Sequence, residues 1–171
     1  MSVGARAEQP ARTLRRMTSK PAPLASLGDH FTLQQSLEAM IHHFGCDSGT
    51  MHRTATDGHL HLRAVVGQFP PPVLDAIRTI PFGKGLAGLA ASRRVPVTVC
   101  NLQSDQSGDV RPGARATGME GAITVPAIDA RTGDVVGVIG IACVAPRTYS
   151  EVETAELLLC AAALGPLLHA E

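Results

Sequence analysis

Tryptophan is absent from this 171-residue sequence, tyrosine occurs once, and no apolar run is long enough to cross a membrane. The most apolar segment, LLLCAAALGPLL, has 12 residues and contains Gly165 and Pro166, whereas a membrane-spanning helix needs about 20 apolar residues. The formal net charge of the whole chain is zero, and nucleic acid is not expected as a partner. These absences favour a cytoplasmic protein without membrane contact.

Cysteine and histidine lack the spacing of a metal site. The four cysteines form no C-x-x-C: Cys46, Cys100, Cys143 and Cys160. Four reduced thiols, several of them buried, are therefore expected. His59 and His61 are two residues apart in a predicted strand, with His52 on its neighbour. Histidines without a carboxylate or thiolate at defined spacing indicate a solvated strand face, so no metal is expected.

The first 28 residues differ in composition from the rest. They carry five basic side chains and one acidic one, a net charge of +4. Prolines at 10, 21 and 23 interrupt these charges, which predicts a solvated, disordered leader; contact with nucleic acid or acidic lipid is the less favoured alternative. Polar residues and prolines follow Arg15 and Arg16, so the leader does not resemble an export signal. The predicted organisation is a basic leader at 1–28 and one domain at 29–171.

Two capping boxes mark the predicted first and last helices. Residues 33–44 carry an apolar helical stripe, and Thr32 and Gln35 have capping-box spacing. The closing helix has Ser150 as its cap and Glu153 at the matching position. Both ends of the domain are therefore predicted to be helical.

Between these helices the pattern alternates short helices with strands. A hairpin is predicted around Asp57-Gly58, because this dipeptide suits a tight turn between two alternating runs. The other predicted elements are short helices at 70–80 and 86–94, strands at 95–100, 120–129 and 134–145, and a loop from 101 to about 112. This order predicts an α+β fold with a mostly antiparallel sheet.

The segment PFGKGLAGLA contains a G-x-G-x-x-G in Gly83, Gly85 and Gly88. In dinucleotide-binding domains this motif joins a buried strand to a long crossover helix. Here a short helix and TIPF precede it, and the helix that follows is too short for that crossover. We therefore reject nucleotide binding. Gly83 and Gly85 are predicted to turn the backbone sharply, with positive φ at Gly85, and Gly88 to let the short helix approach the sheet.

Three blocks of sequence have a more specific spacing. They are TIPFGKGLAGLAASRRVPVTVCN, GAITVPAIDARTGDVVGVIGIA and YSEVETAELLLCAAAL. Together they resemble the GAF domain, a small-molecule sensory fold of phytochromes, phosphodiesterases and bacterial regulators, over about residues 29–168. The resemblance implies a central antiparallel sheet of five to six strands with the terminal helices on one face. On the other face it implies a ligand pocket under short helices and the loop 101–120, but the fold does not identify the ligand.

The known GAF chemistries need residues that this chain lacks. Bilin-binding members use a cysteine commonly followed by histidine, and no cysteine here precedes one. DVRPGAR resembles the phytochrome D-I-P-x-x-A-R stretch only with its proline displaced, and there is no Asn-Lys to begin the cyclic-nucleotide set N-K-x-F-D-E. In free methionine-R-sulfoxide reductases the nucleophilic cysteine lies in a loop that corresponds to residues 102–118, which contain none.

The resemblance therefore favours a stand-alone sensor that signals to a separate output protein, because the sequence contains no kinase, cyclase or DNA-binding segment. The alternative is a cysteine-dependent redox enzyme or thiol redox sensor on the same scaffold, with Cys100 and Cys143 as participants.

The predicted ligand site lies between the sheet and the 101–120 loop. Its candidate residues are Leu86, Leu89, Val99, Cys100, Asn101, Arg111, Arg115, Met119, Ile123 and Ile141. Arg111 and Arg115, with Asp109 beside them, suit a small anion such as nitrate or a carboxylate, since guanidinium groups pair with planar oxyanions; solvated arginines are the alternative. Cys100 is either a reactive thiol or a buried, inert one. No cofactor is identified.

The last helix has more apolar residues than one packed face requires. Six leucines and a cysteine between residues 157 and 168 point in nearly every direction around it, whereas a stripe about 100° wide suffices to pack one face. The surplus predicts a homodimer through the terminal helices, an arrangement that the resemblance also implies. A cover formed by the leader or by the output protein is the alternative.

Overall fold

The computed structural model describes residues 31–169, so the predicted leader at 1–28 lies outside the described residues. The elements are α1 (Leu33–Phe44), β1 (Ser48–Thr54), β2 (His59–Val66), α2 (Pro71–Ile77), β3 (Thr79–Pro81), α3 (Gly85–Arg93), β4 (Val97–Val99), α4 (Pro112–Arg115), β5 (Gly121–Ile128), β6 (Val135–Cys143) and α5 (Glu151–His169). This order confirms the predicted α+β class.

Within residues 31–169, six strands form one antiparallel sheet in the order β3-β2-β1-β6-β5-β4. α1 and α5 cover one face through a core that includes Leu37, Met40, Leu157 and Leu164. On the other face α3 packs against the sheet, with Ala90 and Ala91 beside Val97 and Val138. The predicted arrangement of helices on the two faces is confirmed.

Two short elements were not predicted from the sequence. β3 pairs with β2 at one edge of the sheet, and α4 lies within the segment predicted as a loop. Each has only three or four residues, which is too short to show a hydrophobic period. The segment before Gly83 is therefore a short edge strand following a helix, but not the buried strand that a dinucleotide site requires.

Reciprocal caps fix the starts of both terminal helices. The backbone N–H of Gln35 donates to Thr32 Oγ1, and the N–H of Thr32 donates to the Gln35 side chain. At α5 the N–H of Glu153 donates to Ser150 Oγ, while Glu153 accepts from the Ser150 N–H at 2.8 Å. Both predicted capping boxes are confirmed, and each satisfies backbone donors that have no partner within the helix.

The last helix is longer than the apolar run that marks it in the sequence. α5 has 19 residues, and its best 18-residue window has a mean hydropathy of 1.3. By length and composition it is therefore long and apolar enough to cross a membrane, and a third of that window is buried. A helix that packs on a protein core passes the same test, and Leu157, Leu164 and Leu168 of α5 are buried in such a core.

Side-chain size alternates along the two central strands β5 and β6. Ile123, Val125 and Ile139 lie in the core beneath α1 and α5. The alternate positions, which face α2–α4, include Ala122 and Gly140. Because successive strand residues point to opposite faces, large side chains fill one side of the sheet and small ones leave space on the other.

The glycine motif forms a turn, as predicted. Gly83 and Gly85 have φ values of 78° and 62°, in the left-handed region that side chains with a Cβ rarely adopt. A Cβ on Gly88 would lie 2.3 Å from the Pro81 carbonyl oxygen of β3. The glycines therefore bring α3 against the edge of the sheet.

We expect Gly85→Val to lower the free energy of unfolding by about 2 kcal/mol or more, because a β-branched residue at this φ is strained. Its Cβ would also press on the Arg111 side chain at 3.2 Å. Gly113→Val is the matched control, since a Cβ there meets nothing within 4 Å and its φ is not positive. Urea denaturation measures both; a Gly85→Val protein as stable as the control would contradict the strained turn.

Candidate functional site

A cavity of about 620 Å³ lies between the sheet and the three short helices. α2 contributes Val73 and Ile77 to its wall, α3 contributes Leu86, and α4 contributes Pro112 and Ala114. Ligand pockets in proteins generally occupy about 300–1,000 Å³ and are lined mainly by apolar side chains. The cavity is therefore of a size that suits a small organic molecule.

Small residues on the central strands form the floor of this cavity. Thr50, Gly140 and Thr124 are paired across β1, β6 and β5 in one row, and Ala142 and Ala122 are paired in the next row. All five line the cavity. A Cβ on Gly140 would lie 3.0 Å from Thr124 Oγ1 and 3.6 Å from Thr50 Oγ1. The cavity thus exists because this face of the sheet carries no large side chains here.

A buried histidine stands at the β1 side of the floor. His52 is 1% exposed and lines the cavity. Its Nε2 lies 2.9 Å from the Ile77 carbonyl oxygen, so Nε2 carries the proton and donates. Nδ1 is buried and has no hydrogen-bond partner among residues 31–169. Burial lowers the pKa of His52 to about 4, so at neutral pH the ring is uncharged and Nδ1 is an unpaired acceptor.

Hydroxyl groups add further polar atoms to the floor. Ser48 and Thr50 precede His52 at alternate positions of β1, and Thr124 lies across Gly140. All three residues line the cavity, and no side-chain hydrogen bond within residues 31–169 involves their hydroxyls. An apolar chamber with a few unpaired polar atoms can orient a ligand that supplies the missing partners.

Charge on the cavity wall has one sign. Lys84 and Arg111 line the cavity, and no acidic side chain of the described residues does. The Arg111 stem lies against the glycine turn, 3.2 Å from where a Gly85 Cβ would be. A negatively charged group is therefore the one that this wall would attract.

Four of the ten predicted site residues line the cavity: Leu86, Arg111, Met119 and Ile141. The other six do not: Leu89, Val99, Cys100, Asn101, Arg115 and Ile123. Ile123 faces the terminal helices, because the alternation of β5 turns Ala122 and Thr124 toward the cavity instead. The predicted residue of this strand, Ile123, is large, whereas the smaller Ala122 and Thr124 form the site.

The three residues predicted to bind an anion, Asp109, Arg111 and Arg115, make different contacts in the structure. The Arg115 guanidinium donates to the carbonyl oxygens of Leu102 and Asp105, at 3.2 and 2.6 Å, and so holds the loop together. Asp109 pairs with Arg93 at 3.4 Å. Of the three residues proposed to bind an anion, only Arg111 lines the cavity.

Cys100 and Asn101 lie at the end of β4, outside the cavity wall. Cys100 is exposed, so the prediction of a buried, inert thiol at this position is wrong. Thr148 Oγ1 lies 3.6 Å from its sulfur. Asn101 donates to Glu120 at 3.2 Å and caps the following turn by accepting from Gln103 N–H. Its role is in the loop.

The histidines of β2 are engaged with the hairpin turn. His61 Nε2 lies 2.9 Å from Asp57 Oδ2, and His59 Nδ1 lies 3.0 Å from the Asp57 carbonyl oxygen. Hydrogen bonds from His59 and His61 lower the pKa of Asp57. No group of three or more histidine, cysteine, aspartate or glutamate residues within 31–169 has the arrangement of a metal site.

The polar floor of the cavity was not predicted from the sequence. His52 was predicted only as a companion of His59 and His61, and Ser48, Thr50 and Thr124 were not among the predicted site residues. Small and hydroxyl residues at alternate strand positions, as in GAIT and GIAC, are the signal that could have found the floor.

Comparison with known proteins identifies the fold. A family model described as "GAF domain" matches residues 31–169, and no curated protein matches. The GAF domain of an Acinetobacter phosphoenolpyruvate-protein phosphotransferase is 19% identical, covers 86% of this chain and 88% of its own, and has a TM-score of 0.68.

Two reductases are also among the similar structures. The free methionine-R-sulfoxide reductase of Neisseria meningitidis, in complex with its substrate, is 20% identical, with coverage of 86% and 84% and a TM-score of 0.67. The type II enzyme of Thermoplasma acidophilum is 22% identical, with coverage of 80% and 89% and a TM-score of 0.65. At these identities the likeness shows the fold alone.

Burial of His52 predicts a specific dependence of stability on pH. Its folded pKa, about 4, lies below the ordinary 6.5, so between these values the unfolded chain binds a proton that the folded chain does not. The part of the free energy of unfolding that depends on neutral His52 is fully present above pH 6.5, and about 3 kcal/mol of it is lost as the pH falls to 4.

We expect the free energy of unfolding of His52→Gln, measured by urea denaturation from pH 7 to pH 4, not to show this loss. The exposed His42→Gln is the control and should follow the wild-type curve. Parallel curves for wild type and His52→Gln would show that His52 is not buried in its neutral form.

Proposed function

The chain belongs to the GAF domain family, and from this premise we propose that it is a sensor that binds a small organic molecule in the cavity and signals to a separate protein. The open space over the small-residue floor, at Gly140 and its neighbours, is the observation that carries the proposal. A sheet face that served only for packing would be expected to fill this volume with side chains.

The cavity wall suggests the class of ligand. Most of it is apolar, which favours an aliphatic or aromatic body. Lys84 and Arg111 favour an anionic group on the ligand, as in a carboxylate. The hydroxyls of Ser48, Thr50 and Thr124 on the floor favour a ligand with a hydrogen-bonding group at its buried end. We therefore propose an apolar organic acid that carries a hydrogen-bonding group at the end opposite its acidic group.

Thiol-based catalysis in the cavity is the alternative function. None of the four cysteines lines the cavity, and this supports ligand binding over a reductase mechanism there. Turnover of free methionine sulfoxide with a thiol reductant would favour the enzyme instead.

Signalling requires a surface that a second protein or a second copy can contact. On α5 the exposed apolar residues follow a spacing of three and four: Val152, Ala155, Leu159, Ala162 and Pro166. Leu159 is 72% exposed and Val152 76%. This spacing is that of a helix–helix seam, and the opposite side of α5 packs on the sheet. We propose that two copies pair through this stripe, which stays a prediction.

The pocket is tested with Gly140→Val, whose methyl groups would occupy the floor between Thr50 and Thr124. The probe is anilinonaphthalene sulfonate, an apolar body with an anionic group. We expect saturable binding to the wild-type protein by calorimetry and at least tenfold weaker binding to Gly140→Val. Arg111→Gln should weaken the same interaction, most strongly at low salt.

Gly165→Ala is the matched control for the floor variant. Its Cβ would make an ordinary contact, 3.7 Å from Val136, on the α5 side of the sheet. It should fold and bind the probe as the wild type does. Equal affinity of wild type and Gly140→Val would contradict binding in this cavity. Native mass spectrometry of freshly purified protein would identify a molecule that copurifies.

The α5 stripe is tested with Leu159→Glu. We expect sedimentation of the wild-type protein at micromolar concentration to show a mass that rises with concentration, and Leu159→Glu to remain monomeric. Ser92→Glu, an exposed change on α3 at the other face of the sheet, should associate as the wild type does. A monomeric wild-type protein would instead indicate that a different protein covers α5.

A further inference from the structure

Two cysteines distant in sequence meet on the terminal-helix side of the sheet. Cys46 follows α1, and Cys143 ends β6, 97 positions later. Their sulfur atoms lie 3.0 Å apart, and both cysteines are free thiols. Neither residue lines the cavity, so this pair is independent of the proposed ligand site.

Polar groups surround the pair. One nitrogen of the Arg147 guanidinium lies 3.5 Å from the Cys46 sulfur and 3.4 Å from the Cys143 sulfur. The Tyr149 hydroxyl lies 3.4 and 3.5 Å from the same two sulfurs. The cluster therefore contains two thiols, a cation and a phenol in mutual contact.

We propose that Cys46 and Cys143 form a reversible disulfide when the protein meets a peroxide. A disulfide has a sulfur–sulfur distance of about 2.05 Å, so the two sulfurs need to approach by only about 1 Å. The two cysteines occupy adjoining backbone segments, since Asp47 N–H donates to the Ala142 carbonyl oxygen at 3.0 Å. No large rearrangement of the sheet is required.

The chemistry balances with hydrogen peroxide as the oxidant. The Cys46 sulfur attacks one peroxide oxygen, the O–O bond breaks, and the departing hydroxide leaves as water with the Cys46 proton. The sulfenic acid on Cys46 is then attacked by the Cys143 sulfur, and the S–O bond breaks as the S–S bond forms. The second hydroxide leaves as water with the Cys143 proton. Two thiols and one peroxide thus give one disulfide and two waters.

Accessibility and charge assign the order of these steps. Cys46 is partly exposed, whereas Cys143 is buried, so peroxide reaches Cys46 first. Burial raises the pKa of Cys46 to about 12, so the thiol is protonated at neutral pH and oxidation is slow. The Arg147 guanidinium stabilises the thiolate once it forms, as a cation beside a reactive cysteine does.

The cluster is connected to both terminal helices. Arg147 donates to the Phe44 carbonyl oxygen at the end of α1, at 2.6 Å, and to Glu153 in the first turn of α5, also at 2.6 Å. Glu153 in turn accepts from the Ser150 cap. Closing the sulfur pair alters the contacts of Arg147, and through them the hydrogen bonds that hold the start of α5.

The experiment uses the full-length Cys100→Ser protein, which removes the exposed thiol. We expect hydrogen peroxide to reduce the intact mass by two hydrogens and peptide mapping to find Cys46 joined to Cys143. Dithiothreitol should restore the mass. The melting temperature should rise by several degrees on oxidation and return on reduction, because the bond closes a long loop.

Three further variants in this background serve as comparisons. Cys46→Ser and Cys143→Ser should show neither the mass loss nor the rise in melting temperature, while Cys160→Ala, buried elsewhere in α5, should behave as the background protein. Formation of a Cys46 sulfinic acid without a cross-link would overturn the proposal. So would the finding that Cys46 and Cys143 both remain fully alkylatable after peroxide treatment and unfolding.

Discussion

The rest of the structure depends on one constraint, which is that the two faces of the central strands contact different elements. β5 and β6 lie beneath helices on both faces, so their alternate residues must satisfy two different neighbours. Branched residues such as Ile123 and Ile139 fill the side of α1 and α5. Ala122 and Gly140 occupy the other side and cannot fill the space below α2–α4. One strand pattern thus supplies both the core and the cavity.

The polar atoms of the cavity have an energetic cost that the apolar core offsets. A buried acceptor without a partner, such as His52 Nδ1, costs about 1–3 kcal/mol. The same ring nevertheless uses Nε2 to fix the end of α2 through Ile77. The position of His52 is therefore determined by the fold, and the bond to Ile77 partly offsets the cost of burying Nδ1.

The sequence predicts the elements with strong local signals and fails where the signal is tertiary. The Thr32 and Ser150 capping boxes, the Asp57-Gly58 hairpin and the Gly85 turn all follow from backbone chemistry within a few residues, and all are confirmed. β3 was missed because an edge strand of three residues carries no period. Most residues that line the cavity were not predicted, because large apolar residues were expected to form its wall. The face of β5 on which a residue lies depends on the register of this strand in the sheet, and the local sequence pattern does not determine that register.

The two edges of the sheet are its shortest strands. β3 and β4 each span three residues, and Pro81 and Pro96 stand at or beside them without a backbone N–H to donate. An exposed edge is a template on which another chain can add a strand, and short edges with proline oppose this. The fold therefore resists growth by strand addition, which leaves the helical faces as surfaces where contacts can form and separate without disturbing the sheet.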